Sequence, residues 1–299
     1  MCGIVGLFTK NPALEDRLGD YISSMLIEMT DRGPDSAGVA LYRNPAPDGA
    51  IKLCLFSPDP NYPWRTLAAD LAEELGEEVD VEVRASHAVV VAHDGFEVIN
   101  AWLRHHHPGV RIMSAGDTIE IFKEMGLPRD VVDRFALREV SGTHALGHTR
   151  MATESAVTTQ HSHPFSTGLD LCLVHNGSLS NHNRLRERLR DEGVEFRTDN
   201  DTEVAAGYLA WRLRQGAGLD EALEAAVKDL DGFYTFAVGT RTGFAVLRDP
   251  IACKHAVLAE TDDWVAMATE YRAIAALPGA GRARIWEPAP ARVYSWSRS

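Results

Sequence analysis

Short apolar runs recur along the chain and predict most of its strands. Runs of four to eight residues that are rich in Val, Leu, Ala and Phe are typical of strands buried in a sheet. We expect strands over residues 2–8, 37–43, 51–57, 145–150, 169–175, 233–240, 243–249, 255–260 and 264–270. The stretch 288–299 predicts a last edge strand. The predicted strands therefore cluster towards the two ends of the chain.

Apolar side chains at helical spacing predict the helices between these strands. Leu14, Leu18, Ile22, Met25 and Met29 fall on one face of a helix. Further helices are expected over residues 180–192, 203–215 and 219–230. This order lacks the regular alternation of strand and helix of a doubly wound fold, so two antiparallel sheets covered by helices suit it better.

Residues 58–140 differ in pattern from the segments on either side. They contain two β-rich runs, a helix around residues 96–107 and two short helices further on. We therefore expect one α+β domain over residues 2–299, interrupted by an inserted α/β subdomain at about 58–140.

Composition and charge exclude several classes of function. The chain has 299 residues, of which 45% are hydrophobic, as in ordinary globular proteins. A net charge of −13 opposes binding to a nucleic-acid backbone. No window approaches the roughly 20 apolar residues that span a bilayer, and no signal peptide is recognisable. Four widely separated cysteines without CxxC spacing indicate a reducing cytoplasm, with neither disulfides nor a metal site.

Cys2 directly follows the initiator methionine, and a side chain this small favours removal of that methionine. The first residue would then carry both a thiol and an α-amine. The amine, with a reference pKa of about 7.7–8.0, is a candidate general base near neutral pH. Taken alone, Cys2 is better explained as a small apolar residue that begins a strand. Cys54, Cys172 and Cys253 lie in strand-like runs and are expected in the core.

Two blocks of sequence present arginines next to predicted strands. In RGPDSAG, glycines permit a tight turn, and Arg32 and Asp35 are candidates for a structural ion pair. In GHTRMAT, a strand ends and a loop presents Arg150 and Thr153. A guanidinium there can clamp a carboxylate with two parallel hydrogen bonds, and the alternative is a surface salt bridge.

Two later blocks present hydrogen-bond donors and a carboxylate. In HNGSLSN, Asn176 and Gly177 can offer a side-chain amide and a backbone N–H, the donors that an oxyanion hole requires. The alternative is a turn before a helix capped by Ser180. In NDTEV, Asp201 can bind an ammonium group, and an N-cap role for Asp201 or Thr202 fits equally well.

Taken in order, MCGIVG, RGPDSAG, GHTRMAT, HNG and NDTEV resemble the class II glutamine amidotransferases of the N-terminal nucleophile superfamily. Each block alone is a weak motif, but five in this order make coincidence improbable. The resemblance covers about residues 2–56 and 141–275. It implies the four-layer αββα sandwich of N-terminal nucleophile hydrolases.

The resemblance also implies the chemistry of the site. Cys2 would be the nucleophile with its own amine as the base, and Asn176 and Gly177 would form the oxyanion hole. The thiolate would attack the side-chain amide of glutamine, and hydrolysis of the resulting thioester would give glutamate and ammonia.

Recognition of the amino-acid end of glutamine is implied in the same way. Arg150 and Thr153 would hold its α-carboxylate and Asp201 its α-amino group, while Arg32 would steady the loop around the N-terminus. The family usually has Trp after the arginine, and this chain has Met151, so closure of the loop over glutamine is expected to differ.

A partner chain is implied as well. The sequence has no Walker loop, dinucleotide fingerprint or cysteine cluster for a second active site, and no metal or cofactor is expected in this chain. Its length and layout resemble the glutaminase subunit of split glutamate synthase-type complexes, including the glutaminase subunit of N-methylglutamate synthase. There, a separate subunit carries FMN and an iron–sulfur cluster.

Two alternatives remain open at this stage. One is a non-catalytic amidotransferase-like scaffold in the same kind of complex. The other is an acylase or amidohydrolase of the superfamily, which the pairing of Arg150 with Asp201 disfavours.

Overall fold

A computed structural model describes residues 2–152 and 157–298 of the chain. Its first eight strands are β1 (Gly3–Thr9), β2 (Ser36–Tyr42), β3 (Ile51–Phe56), β4 (Asp80–Arg84), β5 (His87–Ala92), β6 (Arg111–Gly116), β7 (Ile119–Met125) and β8 (His144–Arg150). The remaining strands are β9 (Phe165–Gly168), β10 (Leu171–Leu179), β11 (Gly232–Thr240), β12 (Gly243–Arg248), β13 (Val257–Glu260), β14 (Trp264–Ala268), β15 (Arg284–Trp286) and β16 (Val293–Ser297).

The helices lie between groups of strands. They are α1 (Leu18–Glu28), α2 (Trp64–Leu75), α3 (Phe96–His106), α4 (Pro128–Arg134), α5 (His182–Asp191), α6 (Asp201–Arg214), α7 (Leu219–Asp229) and α8 (Tyr271–Ala275). Short 3₁₀ turns cover Pro12–Arg17, Thr30–Arg32, Leu137–Glu139 and Ala280–Arg282. The predicted helix over 14–29 is thus a 3₁₀ turn followed by α1. Within the described residues, no helix is long and apolar enough to cross a membrane.

A seven-stranded antiparallel sheet has β1 at its centre, in the order β15-β13-β14-β1-β8-β2-β7. All seven residues of β1 are buried. A strand covered on both faces can be apolar throughout, which is why the first residues of the chain form an unbroken apolar run.

A second, five-stranded sheet has the order β16-β12-β11-β10-β9, and its strands alternate between two cores. In β10, Cys172 and Val174 pack into the core shared with the seven-stranded sheet, whereas Leu171 and Leu173 pack beneath α6. Since side chains alternate across a strand, both faces of this sheet are buried. The predicted C-terminal edge strand is confirmed, because β16 pairs with β12 at the edge of this sheet.

Helices cover the outer face of each large sheet. On one side, α1 contributes Leu18, Ile22 and Met25 to the core of the seven-stranded sheet. On the other, α6 contributes Val204 and Tyr208 to the core beneath the five-stranded sheet. The order of layers is helix, sheet, sheet, helix, which is the expected αββα sandwich.

A third sheet, β4-β5-β3-β6, has its own core together with α2 and α3. Its strands run from Ile51 to Gly116, so it does not coincide with the expected boundaries at about 58–140. Strand β7, inside those boundaries, pairs with β2 in the seven-stranded sheet. Strand β3, outside them, is buried on both faces, so its sequence did not reveal which sheet it joins. That residues 58–140 interrupt a shorter domain stays a prediction.

The cysteines expected in the core differ in their positions. Cys54 and Cys172 are fully buried, but Cys253 is exposed. Cys253 follows Ile251 and Ala252, whose backbone N–H groups donate to the carboxylate of Asp249. The residues before it therefore form a turn at the surface, and the prediction for Cys253 was wrong.

Candidate active site

Cys2 lies directly before the first residue of β1, the central strand of the seven-stranded sheet. In the antiparallel register of β1 and β8, Gly3 is opposite Thr149, so Cys2 directly precedes the paired part of β1. A Cβ atom on Gly3 would lie 2.8 Å from Thr149 Oγ1 and 2.8 Å from Met29 Cβ. Only glycine fits there without displacing a neighbour, so close packing fixes the backbone directly after Cys2.

Asn176 and Gly177, on β10, approach Cys2 from the second sheet. The Asn176 Nδ2 amide donates a hydrogen bond to the Cys2 carbonyl oxygen, at 3.1 Å. Gly177 has a φ of +152°, and a Cβ atom there would lie 1.9 Å from the carbonyl oxygen of Phe233. The position therefore requires glycine. Asn176, one of the two residues predicted to form an oxyanion hole, thus contacts Cys2, and Gly177 follows it on β10.

Asp201 is the first residue of α6 and lies beside the same strand. Its Oδ2 accepts the backbone N–H of Leu179 at 2.9 Å, and its Oδ1 is 3.7 Å from His175 Nδ1. The N-cap of α6 is Asn200, whose side chain accepts the N–H of Thr202 at 2.8 Å. The alternative of a capping role for Asp201 or Thr202 is therefore wrong, and the Asp201 carboxylate is not used as a cap.

Asp201 is held in its charged form. Burial alone opposes ionisation, but the contact with His175 and the hydrogen bond from the Leu179 N–H outweigh it and lower the pKa of Asp201 to about 2. The carboxylate is therefore negatively charged at neutral pH. It presents this charge next to the strand that carries Asn176, where it can attract a cation.

Three buried histidines lie behind these residues around the hydroxyl of Thr202. Thr202 Oγ1 is 2.7 Å from His163 Nε2 and 3.1 Å from His175 Nδ1. His148 Nε2 donates to the carbonyl oxygen of His175 at 3.0 Å, and its ring lies 4.0 Å from that of His163. Burial lowers the pKa of His148 to about 3 and that of His163 well below its usual value. Both are therefore neutral and shape the site as packed polar groups.

The turn after α1 supports the end of β8. Asp35 Oδ2 accepts the backbone N–H of Ala152 at 2.8 Å, and the Asp35 N–H donates to the carbonyl oxygen of Arg150 at 3.1 Å. Arg32 instead pairs with Glu270, at 3.2 Å between Nη1 and Oε1. The candidate ion pair between Arg32 and Asp35 is therefore wrong, because Arg32 pairs with Glu270 and the Asp35 carboxylate binds the backbone of Ala152.

The remaining predicted residues are Arg150, Met151, Thr153 and Ser180. Arg150 is only 5% exposed, which rules out the surface salt bridge considered for it. Met151, at the position where tryptophan is usual, is 38% exposed. Thr153 lies outside the described residues. Ser180 does not cap α5, because that helix begins at His182 and Asn181 occupies the cap position.

Comparison with known proteins identifies the family. Residues 148–276 match the glutamine amidotransferase domain. Over 297 residues the chain is 57% identical to the glutamine amidotransferase-like protein GlxB of Rhizobium meliloti, which covers 99% of this chain and 98% of that protein. This chain belongs to the glutamine amidotransferase family. It is also 30% identical over 304 residues to a putative glutamine amidotransferase of Methanothermobacter thermautotrophicus, covering 98% of this chain and 99% of that protein.

Similarity to solved structures supports the fold of this amidotransferase. The glutamine phosphoribosylpyrophosphate amidotransferase of B. subtilis superposes with a TM-score of 0.61 at 19% identity, covering 99% of this chain and 49% of that one. The allosteric regulatory enzyme of purine biosynthesis gives a TM-score of 0.64 at 20% identity, covering 99% and 47%. The chain thus spans about half the length of these two proteins, and the expected N-terminal nucleophile type of fold is confirmed.

Two residues near the site of the amidotransferase were missed from the sequence. Glu270 pairs with Arg32, and Lys123 Nζ donates to the carbonyl oxygens of Ser162 and Pro164, at 2.7 and 3.0 Å, on either side of His163. Glu270 lies within residues 141–275, which the resemblance covers, but no role was assigned to it there. Lys123 lies in the segment taken for an insert, and no local signal marked it. Among the described residues, no cluster of His, Cys, Asp or Glu could hold a metal ion.

Proposed function

We propose that this amidotransferase hydrolyses the side-chain amide of glutamine through Cys2 and supplies the ammonia to a synthase on a partner subunit. The observation that carries the proposal is the hydrogen bond from Asn176 to the Cys2 carbonyl. It brings an amide donor of the five-stranded sheet to the residue that begins the seven-stranded sheet. Arg150 at the end of β8 and the ionised Asp201 at the start of α6 are the proposed partners for the charged groups of glutamine.

The proposed reaction begins with removal of Met1, which frees the α-amine of Cys2. The amine accepts the thiol proton, and the thiolate attacks the side-chain carbonyl carbon of glutamine. Asn176 and Gly177 stabilise the oxyanion that forms. The intermediate collapses with cleavage of the carbon–nitrogen bond, and the amine gives its proton to the leaving ammonia. Water then hydrolyses the thioester, which releases glutamate and restores the thiol.

Recognition of glutamine follows from the two opposite charges on its α-carbon, the α-carboxylate and the α-ammonium group. Arg150 binds the α-carboxylate through a planar guanidinium, together with Thr153. Asp201 binds the α-ammonium group, and its carboxylate is charged throughout the neutral pH range. Arg32 acts at one remove, because its ion pair with Glu270 holds the turn that precedes β2.

The proposed partner is a synthase subunit of the glutamate synthase or N-methylglutamate synthase type, with FMN and an iron–sulfur cluster on that subunit. The support is the resemblance of this chain in length and layout to the glutaminase subunit of such complexes. Binding of the partner raises the rate of glutamine hydrolysis, since segments that complete a site on binding often control turnover.

The test of the nucleophile compares Cys2→Ala with Cys253→Ala, which removes an exposed thiol in a surface turn. Release of glutamate from glutamine disappears in Cys2→Ala and is retained in Cys253→Ala. Intact mass of the wild-type protein reports loss of Met1, and a glutamine-like electrophile labels Cys2 alone. Glutamate release by Cys2→Ala at the wild-type rate would disprove the mechanism.

The test of the partner measures glutamate release with and without the synthase subunits at saturating glutamine. We expect an increase of at least about tenfold in the complex, equivalent to roughly 1.4 kcal/mol of barrier. Full activity of the isolated chain would disprove control by the partner while keeping the glutaminase. No activity in the complex, with Met1 removed, would favour the non-catalytic scaffold.

A further inference from the structure

A cavity of about 880 Å³ lies away from Cys2, between the small sheet and the sandwich. Helix α3 and strand β6 form one wall, and β9, α6 and the loop before α6 form the other. This volume falls within the range of pockets that hold small organic molecules. Neither Cys2, Asn176, Arg150 nor Asp201 lines it, so it is distinct from the proposed glutaminase site.

Two contacts join the walls of the cavity at its rim. Arg197, on the loop before α6, donates from Nη1 to the carbonyl oxygen of Ile112 at 3.2 Å and from Nη2 to Asn100 Oδ1 at 3.3 Å. Arg104, on α3, pairs with Glu195 on the same loop. These contacts use side chains from both walls. The cavity is therefore held open by specific contacts between the small sheet and the sandwich.

The lining of the cavity is positively charged, although the protein as a whole carries −13. Four arginines line it, Arg104, Arg111, Arg197 and Arg214, against three glutamates. Two of these glutamates are already engaged. Glu195 pairs with Arg104, and Glu203 accepts the backbone N–H groups of Arg197 and Thr198. The cationic groups therefore outnumber the carboxylates that can neutralise them.

Apolar side chains form the rest of the lining. Phe96 lies on α3, Phe165 on β9 and Leu213 on α6, and all three are at least partly buried. Lys123 lies over the ring of Phe165, with Nζ 4.5 Å from its centroid. A cavity lined by both arginines and apolar side chains matches a ligand that has a charged group and a carbon skeleton.

We propose that this cavity binds a small organic anion. Its carboxylate or phosphate groups contact Arg111, Arg197 and Arg214, and its carbon skeleton packs against Phe96 and Leu213. An acidic protein repels anions from most of its surface, so a positively charged cavity concentrates them at this one place. The inference does not depend on glutamine hydrolysis, because the ligand is detected by binding.

The test measures binding of succinate, glycerol phosphate and inorganic phosphate to the full chain by calorimetry, with glycerol as the neutral comparison. We expect saturable binding of at least one anion, weakened by added salt, and none of glycerol. Tighter succinate binding assigns a dicarboxylate, and tighter glycerol phosphate binding assigns a phosphate ester. Absence of saturable binding of any anion up to about 10 mM would overturn the proposal, since that limit lies well above the affinities of most specific sites.

Charge-removing variants locate the binding. Arg111→Gln and Arg214→Gln each weaken it by about fivefold, corresponding to roughly 1 kcal/mol for a partly solvated ion pair. Arg129→Gln removes an exposed arginine on α4, away from the cavity, and leaves affinity unchanged. Thermal unfolding confirms that all three variants fold. Equal weakening in all three would mean that the anions bind the surface non-specifically, and would also overturn the proposal.

Discussion

The side-chain amide of Asn176 donates to the carbonyl oxygen of Cys2 across 174 positions of sequence, at 3.1 Å. This bond ties the start of the seven-stranded sheet to β10 of the five-stranded sheet. It uses one of the two N–H groups of the amide, so the second is available for the oxyanion of the proposed reaction. Asn176 and Cys2, which both take part in the proposed reaction, thus also hold the two sheets together at this point.

Gly177→Ala should abolish glutamine hydrolysis and lower stability. The added Cβ would lie 1.9 Å from the Phe233 carbonyl oxygen and 2.8 Å from His175 Nε2, so the backbone must move. A left-handed φ costs about 1–2 kcal/mol for alanine, and overpacking adds about 1–3 kcal/mol. The measurements are urea unfolding and glutamate release, made well below the unfolding midpoint.

Gly193→Ala is the matched control for the backbone cost at Gly177. Gly193 also has a positive φ, +78°, but a Cβ atom there would have nothing within 4 Å of it. Gly193→Ala should therefore lower the free energy of unfolding only by the cost of a positive φ, without the cost of overpacking. It should retain activity. Equal stability and equal activity of the two variants would contradict the packing described around Gly177.

Asp201→Asn should raise the KM for glutamine by at least about tenfold, because a charge-assisted hydrogen bond to an ammonium group contributes roughly 1.5–3 kcal/mol. The matched control is Asp199→Asn, where the carboxylate is 80% exposed and pairs with His161. Steady-state kinetics of glutamate release measure both. An unchanged KM in Asp201→Asn would mean that this carboxylate does not bind the substrate.

The pH dependence of stability tests the charge of Asp201 separately. Its pKa is about 2 in the folded chain, below the ordinary value of 3.8. Its contribution to stability is therefore fully present above about pH 3.8 and is lost as the pH falls through 2. In urea unfolding, Asp201→Asn should lower stability at neutral pH and approach the wild type near pH 2. A constant difference down to that pH would contradict the lowered pKa.

The sequence predicted the apolar core of the sandwich, but it did not predict which distant polar residues form pairs. Strand β1 is buried on both faces, as its uninterrupted apolar sequence predicts. The ion pair of Arg32 with Glu270 joins residues 238 positions apart, and Asp35, three positions from Arg32, offered a nearer partner. Sequence spacing favours pairs that are close in the chain, but the Asp35 carboxylate binds the backbone N–H of Ala152 instead.

The small sheet shows a second limit of the sequence pattern. In β3, Leu53 and Leu55 pack into the core of the small sheet, while Cys54 and Phe56 pack into the core of the large one. The pattern of such a strand predicts burial but not the sheet to which it belongs. Strands β6 and β7 were missed, since each mixes charged and apolar residues. The candidate site residues were predicted because blocks in a fixed order resemble a family, and spacing alone left each of them with a structural alternative.

Stability should fall steeply as the pH drops from about 6.5 to 4. Burial lowers the pKa of His87, His144 and His148 to about 3, from an ordinary value of 6.5. The unfolded chain therefore binds protons in this range that the folded chain does not, so unfolding becomes more favourable by up to about 1.4 kcal/mol per pH unit for each histidine. The measurement is the free energy of urea unfolding at a series of pH values.

His87→Phe should make the free energy of unfolding less dependent on pH, by the contribution of one histidine. The ring of His87 packs among Phe56, Phe122 and Phe135, so phenylalanine preserves the aromatic contacts and removes the titrating group. The control is His105→Asn, at an exposed position near the end of α3, which should leave the slope unchanged. A His87→Phe slope equal to that of the wild type would refute the assignment of His87 as a buried neutral group.

Thr202→Val should raise the KM for glutamine and lower stability, while Thr202→Ser should restore both. The Thr202 hydroxyl lies 2.7 Å from His163 Nε2 and 3.1 Å from His175 Nδ1, and the residue is 1% exposed. Valine has a similar shape but leaves two buried imidazole nitrogens without that partner, at a cost of about 1–3 kcal/mol each. Urea unfolding and steady-state kinetics measure the two effects.

The serine variant separates the hydroxyl of Thr202 from its packing. Serine retains the oxygen and removes the methyl group, so a hydrogen-bonding role predicts recovery of KM. His175 also contacts Asp201, at 3.7 Å, so release of its ring from Thr202 disturbs the carboxylate that is proposed to bind the substrate ammonium. A KM effect that serine reverses therefore assigns Thr202 as a positioning residue. If Thr202→Ser behaved like Thr202→Val, the methyl group would be the cause, and the hydroxyl would have no part in orienting Asp201.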